Sequence, residues 1–208
     1  MRDQRGILWF VKPEDAKASR LDIEAAARMW DAYASAQPDA VRLCPEYSVE
    51  RFGDSAELAD ALLHEVIQGS KRATSTLARE FLDDGASLPR VGSHWIACDG
   101  AGTPRVILRS IELRLGTFND ADADFARDEG EDDLSLESWR REHRKYWQRT
   151  EAARGRSWSE DDSIVFERFR IAWPPGRQEP DSVGHWFPMG ACGGRGYRDP
   201  TWMPVPGS

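Results

Sequence analysis

Apolar residues recur at helical spacing in three stretches of the chain. Ile23, Ala26, Ala27, Trp30 and Tyr33 fall roughly on one face of a segment over 21–37, which Pro38 is expected to stop. Leu58, Leu62, Leu63, Val66 and Ile67 mark a second helix. Gly53-Asp54-Ser55 opens it, where Asp54 or Ser55 can accept a bond from an orphan N–H, and it runs to about Gln68. Leu136, Trp139, His143, Tyr146 or Trp147, and Thr150 form the stripe of a long helix from a Ser135 cap to about Arg154. Two shorter helices are expected, over Leu77–Leu82, ended by Asp83-Asp84-Gly85, and over Phe118–Asp128, closed by Glu129-Gly130.

Extended segments lie between them. Tyr47–Phe52, a strand start at Thr74–Thr76, His94–Cys98, Pro104–Leu115 and Ile164–Trp173 read as strands, the last ended by Pro174-Pro175. Val91-Gly92 and Asp99-Gly100-Ala101-Gly102 are turns. In the longest strand Val106, Leu108, Ser110 and Glu112 share one face, while Ile107, Ile111 and Leu113 lie mostly on the other. This departs from clean alternation and predicts a bulge or burial on both sides. Few, short, mixed strands interleaved with helices predict an α+β domain built on a small twisted barrel or strongly curved sheet. The expected organisation is an N-terminal extension over 1–20, the domain with its first helix over 21–173, and a tail over 174–208. The extension carries an apolar run, Ile7–Val11, read as a strand or loose arm rather than a signal peptide. The tail is rich in Gly, Pro, Trp and Arg, and its Trp186, Phe187, Tyr197 and Trp202 suggest that it lies down on the domain.

Composition narrows the function classes. The 208 residues are 40% hydrophobic and 31% charged, which suits one globular domain with extensions. No run approaches the roughly 18 apolar residues of a membrane span, so no membrane partner is expected. Three scattered cysteines (Cys44, Cys98, Cys192) without CxxC spacing argue against a disulfide framework or zinc site and for the reducing cytoplasm. The four histidines are equally scattered, and no metal or cofactor is expected. The net charge of -8 makes the chain a poor general binder of nucleic-acid backbone. The charge is uneven, however: residues 120–137 are strongly acidic, and the helix after them carries Arg140, Arg141, Arg144, Lys145, Arg149, Arg154 and Arg156. These segments either neutralise each other and form solvated faces, or leave a local phosphate-binding strip.

The stretch Gly69-Ser70-Lys71-Arg72-Ala73-Thr74-Ser75-Thr76 is the candidate centre of the chemistry. Gly69 stands where the second helix ends and is expected to take the left-handed conformation there. Lys71 and Thr74 are three apart and converge only if the chain turns between them, as a helix-to-strand corner allows.

Taken in order, Phe52-Gly53-Asp54-Ser55, Gly69-Ser70-Lys71-Arg72-Ala73-Thr74, Val91-Gly92, Phe125-Ala126-Arg127-Asp128-Glu129-Gly130, Leu134-Ser135 and Trp139 resemble an ASCH domain over roughly residues 22–173. More narrowly, the chain resembles the bacterial ASCH proteins described as RNA-binding. The resemblance implies a PUA-like fold, a small β-barrel with helices packed around a cleft. It also implies two activities. Some small bacterial ASCH proteins are amidohydrolases that remove the acetyl group of N(4)-acetylcytidine with a lysine and a threonine in G-x-K-x-x-T plus a later glutamate. Others are associated with RNA binding or cleavage. The lysine and threonine fall on Lys71 and Thr74, and the glutamate on Glu129 or, two residues on, Glu131.

In that reading Lys71 is the base, Thr74 the nucleophile, and Glu129 a proton donor kept protonated by burial among other acids. As a base at neutral pH, Lys71 would need its pKa lowered by roughly three units from about 10.4. Arg72, Ser75 and Thr76 shape the site or contact substrate. Trp139 and His143 are either core residues or a stacking wall for a nucleobase. The expected partner is a small nucleoside, or RNA if the cleft only binds.

Overall fold

A computed structural model describes residues 20–83 and 85–174. The Ile7–Val11 arm, the tail tryptophans, Asp84, Pro175, His185 and Cys192 lie outside the described residues. Asp22 caps α1 (Ile23–Ala36) by accepting from the Ala25 N–H, and Ala26, Trp30 and Tyr33 are its buried residues. Pro38 begins a helix as well as following one, because it needs no N–H at the first helical position. It opens α2 (Pro38–Leu43), a short helix that the apolar pattern did not predict. β1 (Tyr47–Arg51) leads to α3 (Ala56–Ile67), capped by Ser55. β2 (Ala73–Leu77) follows, then α4 (Ala78–Asp83), β3 (His94–Cys98) and β4 (Pro104–Gly116). The acidic stretch expected as one helix is broken in two. A 3-10 turn (Phe118–Asp120) stops at Ala121, and Asp122 caps a new helix, α5 (Ala123–Glu129). The Asp122 carboxylate accepts from the Phe125 N–H at 2.8 Å, so the second piece starts afresh. α6 (Leu136–Ala153), capped by Ser135, and β5 (Ile164–Trp173) complete the domain.

The strands form one sheet in the order β1-β3-β4-β5-β2. β1 runs parallel to β3, and the other three pairings are antiparallel. The β4–β5 ladder slips between Ile107 and Leu108 and again between Ser110 and Glu112, which bends the long strand. The irregular alternation of β4 therefore has both expected causes. It is bulged, and Val106, Ile107 and Leu108 are all fully buried.

Helices cover both faces. α1 packs Ala26, Trp30 and Tyr33 on Tyr47, Val49, Ile96, Cys98 and Ile107. On the opposite face, Leu63 and Val66 of α3 join Phe52, Trp95, Ala97, Val106, Leu108, Phe169 and Ile171. A third cluster seals α5 and α6 to β2 and β5 through Phe118, Phe125, Trp139, Trp147, Ile164 and Phe166. The result is an α+β domain with a five-stranded sheet curled into a half-barrel. Its two edge strands, β1 and β2, both border a cleft beside α3.

Candidate functional site

The corner after α3 is built by its backbone. Gln68 closes the helix in the right-handed conformation, and the Lys71 N–H returns to the Glu65 carbonyl at 3.2 Å. Gly69 is not among the residues with positive φ, contrary to the sequence expectation. Glycine is favoured there because a Cβ would displace the end of the Glu65 side chain and crowd its carbonyl oxygen at 3.1 Å. The left-handed glycine of the site is Gly130 (φ +68°), which ends α5 and packs on Lys71. The Arg72 N–H bonds the Asp128 carbonyl at 2.6 Å, and the Phe169 N–H bonds the Arg72 carbonyl at 2.9 Å, so the corner is tied to α5 and β5. Arg72's guanidinium donates to the Val66 and Lys71 carbonyls at 3.1 and 2.7 Å. It thus supports the C-terminal end of α3, where a cation is favourable.

Lys71 is buried, with 1% of its surface exposed. Its Nζ donates to Glu131 Oε1 at 2.5 Å and to the Glu129 carbonyl at 3.2 Å, and lies 5.5 Å from the Phe52 ring centroid. Glu129, the last residue of α5, is equally buried. Ser75 Oγ donates to its Oε1 at 2.9 Å. The Trp139 indole N–H donates to Oε2, and His143 Nε2 lies 3.2 Å from the same oxygen. His143 Nδ1 is 3.0 Å from the Trp139 carbonyl. Both ring nitrogens of His143 therefore face acceptors, an arrangement that fits the imidazolium.

The charge balance agrees. Burial by itself would raise the Glu129 carboxyl, but the charge and hydrogen bond of His143, then Lys71 and Ser75, outweigh it and hold the group below the usual range. For His143, burial acts downward, and the Glu129 carboxylate, Glu131 and the Trp139 carbonyl overcome it and raise the imidazole. The expectation of a protonated Glu129 is thus corrected: cations and donors surround it where acids were expected to crowd it. Of the two aligned glutamates, Glu129 holds the buried donor cluster, and Glu131, 32% exposed at its side chain, pairs with Lys71.

The cleft has a volume of about 970 Å³ and is lined by Thr74, Ser75, Thr76, Glu129, Glu131 and His143, together with residues of every other strand. Cavities of roughly 300–1,000 Å³ suit small-molecule ligands. On β2, Ser75 turns toward Glu129, whereas Thr74 stands across the ladder from Glu167. Trp139 is 5% exposed and packed by Phe118, His143, Trp147 and Phe166, so it belongs to the core and reaches the site through its N–H. His143 stacks on it with 4.2 Å between ring centroids and borders the cleft.

Sequence reasoning missed Glu167 and Ser110. Ser110 Oγ donates to Glu167 Oε1 at 2.5 Å, and both residues are buried and line the cleft. Burial, seconded by the Glu50 charge, pushes the Glu167 carboxyl up to about 7 against the bond from Ser110 and the nearby Trp95 N–H. The available signal was positional. Glu167 alternates with Val165, Phe169 and Ile171 on one strand face, and Ser110 with Val106 and Leu108 on another. Among the described residues, no group of three or more His, Cys, Asp or Glu side chains is arranged to hold a metal ion. No described helix is long and apolar enough to cross a membrane.

A curled α+β sheet with a ligand-sized cleft between its edges, and a buried glutamate at one wall with a buried lysine behind it, fits a PUA-like domain. The chain belongs to the ASCH domain family, whose model matches residues 48–172. It is similar to the crystal structure of an ASCH domain from Lactobacillus crispatus JV V101, with 26% identity and a TM-score of 0.65 over 72% of this chain and 94% of that one. A protein from Enterococcus faecalis V583 shares the fold at 23% identity and a TM-score of 0.61, over 79% of this chain and 99% of that one. No curated protein matches the chain.

Proposed function

We propose that the cleft hydrolyses a small amide on an acylated nucleoside of the N(4)-acetylcytidine type. The observation that carries this reading is the buried Glu129 carboxylate, bonded to the Ser75 hydroxyl and set beside His143 and Lys71 at the wall of a ligand-sized cleft. Amide hydrolysis needs a nucleophile, an acceptor for its proton and a donor to the leaving nitrogen. A β2 hydroxyl attacks the acyl carbon and gives up its proton. The C–N bond then breaks as the nitrogen is protonated, releasing cytidine. Water next attacks the acyl ester, freeing acetate and restoring the hydroxyl. Thr74 is the hydroxyl that family resemblance favours, and the Ser75–Glu129 bond supports Ser75 as a second candidate with its own base. Lys71 donates to Glu131 and the Glu129 carbonyl, which supports a role as a fixed cation beside the acceptor; a base role for it requires release of Glu131.

The test is incubation of the purified protein with N(4)-acetylcytidine, following cytidine and acetate by chromatography, with Lys71→Ala, Thr74→Ala and Ser75→Ala in parallel. We expect turnover in the wild type and a loss of about 100-fold or more in Lys71→Ala and in whichever hydroxyl variant removes the nucleophile. Near-full activity in Lys71→Ala would remove the lysine from the mechanism. No turnover in the wild type would end the hydrolase reading and leave the cleft as a binding site.

A further inference from the structure

The hydrophobic cluster beside α3 carries a polar pair within it. Phe52, Trp95, Val106, Leu108, Phe169 and Ile171 belong to that cluster, and on β4 and β5 Ser110 and Glu167 continue the same strand faces and bond each other. A carboxyl in such surroundings is costly unless it is neutral or paired. The charged group acting on Glu167 from β1 is Glu50, of the same sign. The other carboxylates lining the cleft are Glu46, Glu80, Glu129, Glu131 and Glu142, with His94 and His143 as the imidazoles. Its cationic lining residues are Arg51, Arg90, Lys145 and Arg149.

Two more observations point from this place toward a ligand. Ser110 engages one carboxyl oxygen of Glu167, Oε1. Trp95, 8% exposed and also lining the cleft, acts on the same carboxyl, yet its indole N–H makes no hydrogen bond of normal geometry among the described residues. A buried donor at a cleft wall that Glu167 does not satisfy with good geometry can also take an acceptor from outside. A neutral carboxyl adds a donor and an acceptor side by side, which a carboxylate lacks.

We infer that Glu167, Ser110 and the Trp95 indole form a neutral-acid subsite that holds the polar edge of an uncharged heterocycle, an acceptor ring nitrogen or carbonyl next to an N–H donor. The inference rests on the nucleoside reading of the cleft and adds which edge of the base is held and by what. Glu167 pairs across the ladder with Thr74, so the subsite sets the base beside Thr74, the nucleophile that the family resemblance favours. Anionic ligands are disfavoured here, because these three side chains offer no cation and Glu50 stands nearby.

The experiment measures cytidine binding by calorimetry at pH 6 and pH 8, in the wild type, Glu167→Gln and Ser110→Ala. Only the protonated form of Glu167 presents the donor. With its midpoint at about 7, wild-type affinity is expected to fall about tenfold between the two pH values, as the competent fraction falls. Glu167→Gln keeps a donor and an acceptor at every pH, so its affinity changes less than the wild type's, and the remaining change reports His143. Ser110 favours the ionised carboxyl, so Ser110→Ala moves the midpoint upward and also shrinks the pH 6 to pH 8 ratio. A role confined to packing would lower affinity equally at both pH values. Cytidine binding with the same pH profile in wild type and Glu167→Gln would overturn the subsite and leave the nucleoside reading standing. No cytidine binding by the wild type at either pH would overturn both.

Discussion

Glu129 and Glu167 line the same cleft and are both buried, yet their surroundings drive them apart. Glu129 receives Ser75, Trp139, His143 and Lys71 and is held below the usual carboxyl range, whereas Glu167 faces apolar rings and Glu50 and is pushed up to about 7. The consequences for stability have opposite signs. The lowered Glu129 contributes stability above its unfolded pKa of about 4.3, lost as pH falls through the folded value. The raised His143 contributes below its unfolded pKa of about 6.5, lost as pH rises through the folded value. Glu167 is a raised acid: between about pH 4.3 and 7 the unfolded chain gives up a proton that the folded chain keeps, so stability falls with rising pH and levels off above 7. Glu167→Gln is therefore expected to stabilise the fold by roughly 2–3 kcal/mol at pH 8 and to change it little at pH 4. Urea unfolding at the two pH values measures this; an unchanged or lower stability at pH 8 would contradict the assignment. Neither carboxyl's state was legible in the sequence. An acidic run looks like crowding, and only the folded chain shows that α6 delivers His143 and the Trp139 N–H to Glu129.

At the scale of elements, long periodic segments were legible and junctions were not. α1, α3, α6, β3 and β5 follow from their apolar spacing and their Asp or Ser caps, because those signals are local. Pro38 stops α1 as expected, but the short helix it opens was not foreseen; Ala121 and Gly69 were misread because a short acidic run can re-cap itself, and a glycine can be favoured by a close neighbour rather than by its own φ. Gly130 is the junction on which the site depends, since it turns the chain between Glu129 and Glu131 against the Lys71 corner. A Cβ there would lie 2.6 Å from the Lys71 nitrogen and 2.7 Å from its Cα, at φ +68°. Gly155 has a similar φ of +71°, but a Cβ at that position would meet nothing within 4 Å. Gly155→Ala should thus cost only the left-handed strain, about 1 kcal/mol, and Gly130→Ala at least twice that, because the backbone of the corner must also move. Urea midpoints of the two variants test the difference; equal losses would mean that the α5–Lys71 contact is loose.

For the whole molecule the question is whether an acidic protein with a basic helix is an RNA binder. The sequence offered two readings of α6, neutralisation or a phosphate strip, and could not separate them because partners distant in the chain were invisible. Folding supplies those partners from several places. Arg141 pairs with Asp132 and Glu142, and Lys145 with Glu142. Arg144 reaches Glu160, and Arg149 reaches Asp54. Arg154 and Arg156 share Glu151, with Glu80 and Asp83 beyond. The acidic run in turn engages Arg114, Arg127, Arg168 and Lys71, so it neutralises little of α6 directly. Apart from Arg140, which has no ion pair among the described residues, a phosphate docking on α6 would have to displace carboxylates already in place, and the net charge of -8 opposes its approach. Binding through six to ten phosphate contacts would weaken by about 10³–10⁵ between 50 and 200 mM salt. For this chain we expect a single-stranded RNA oligonucleotide to bind with a Kd of about 100 µM or weaker at 200 mM salt, with a shallow salt dependence below it. Fluorescence anisotropy over that range decides the matter. A Kd near 1 µM at 200 mM salt would show that these ion pairs open for RNA, and the cleft would then be read as part of a nucleic-acid surface rather than as a pocket for a free nucleoside.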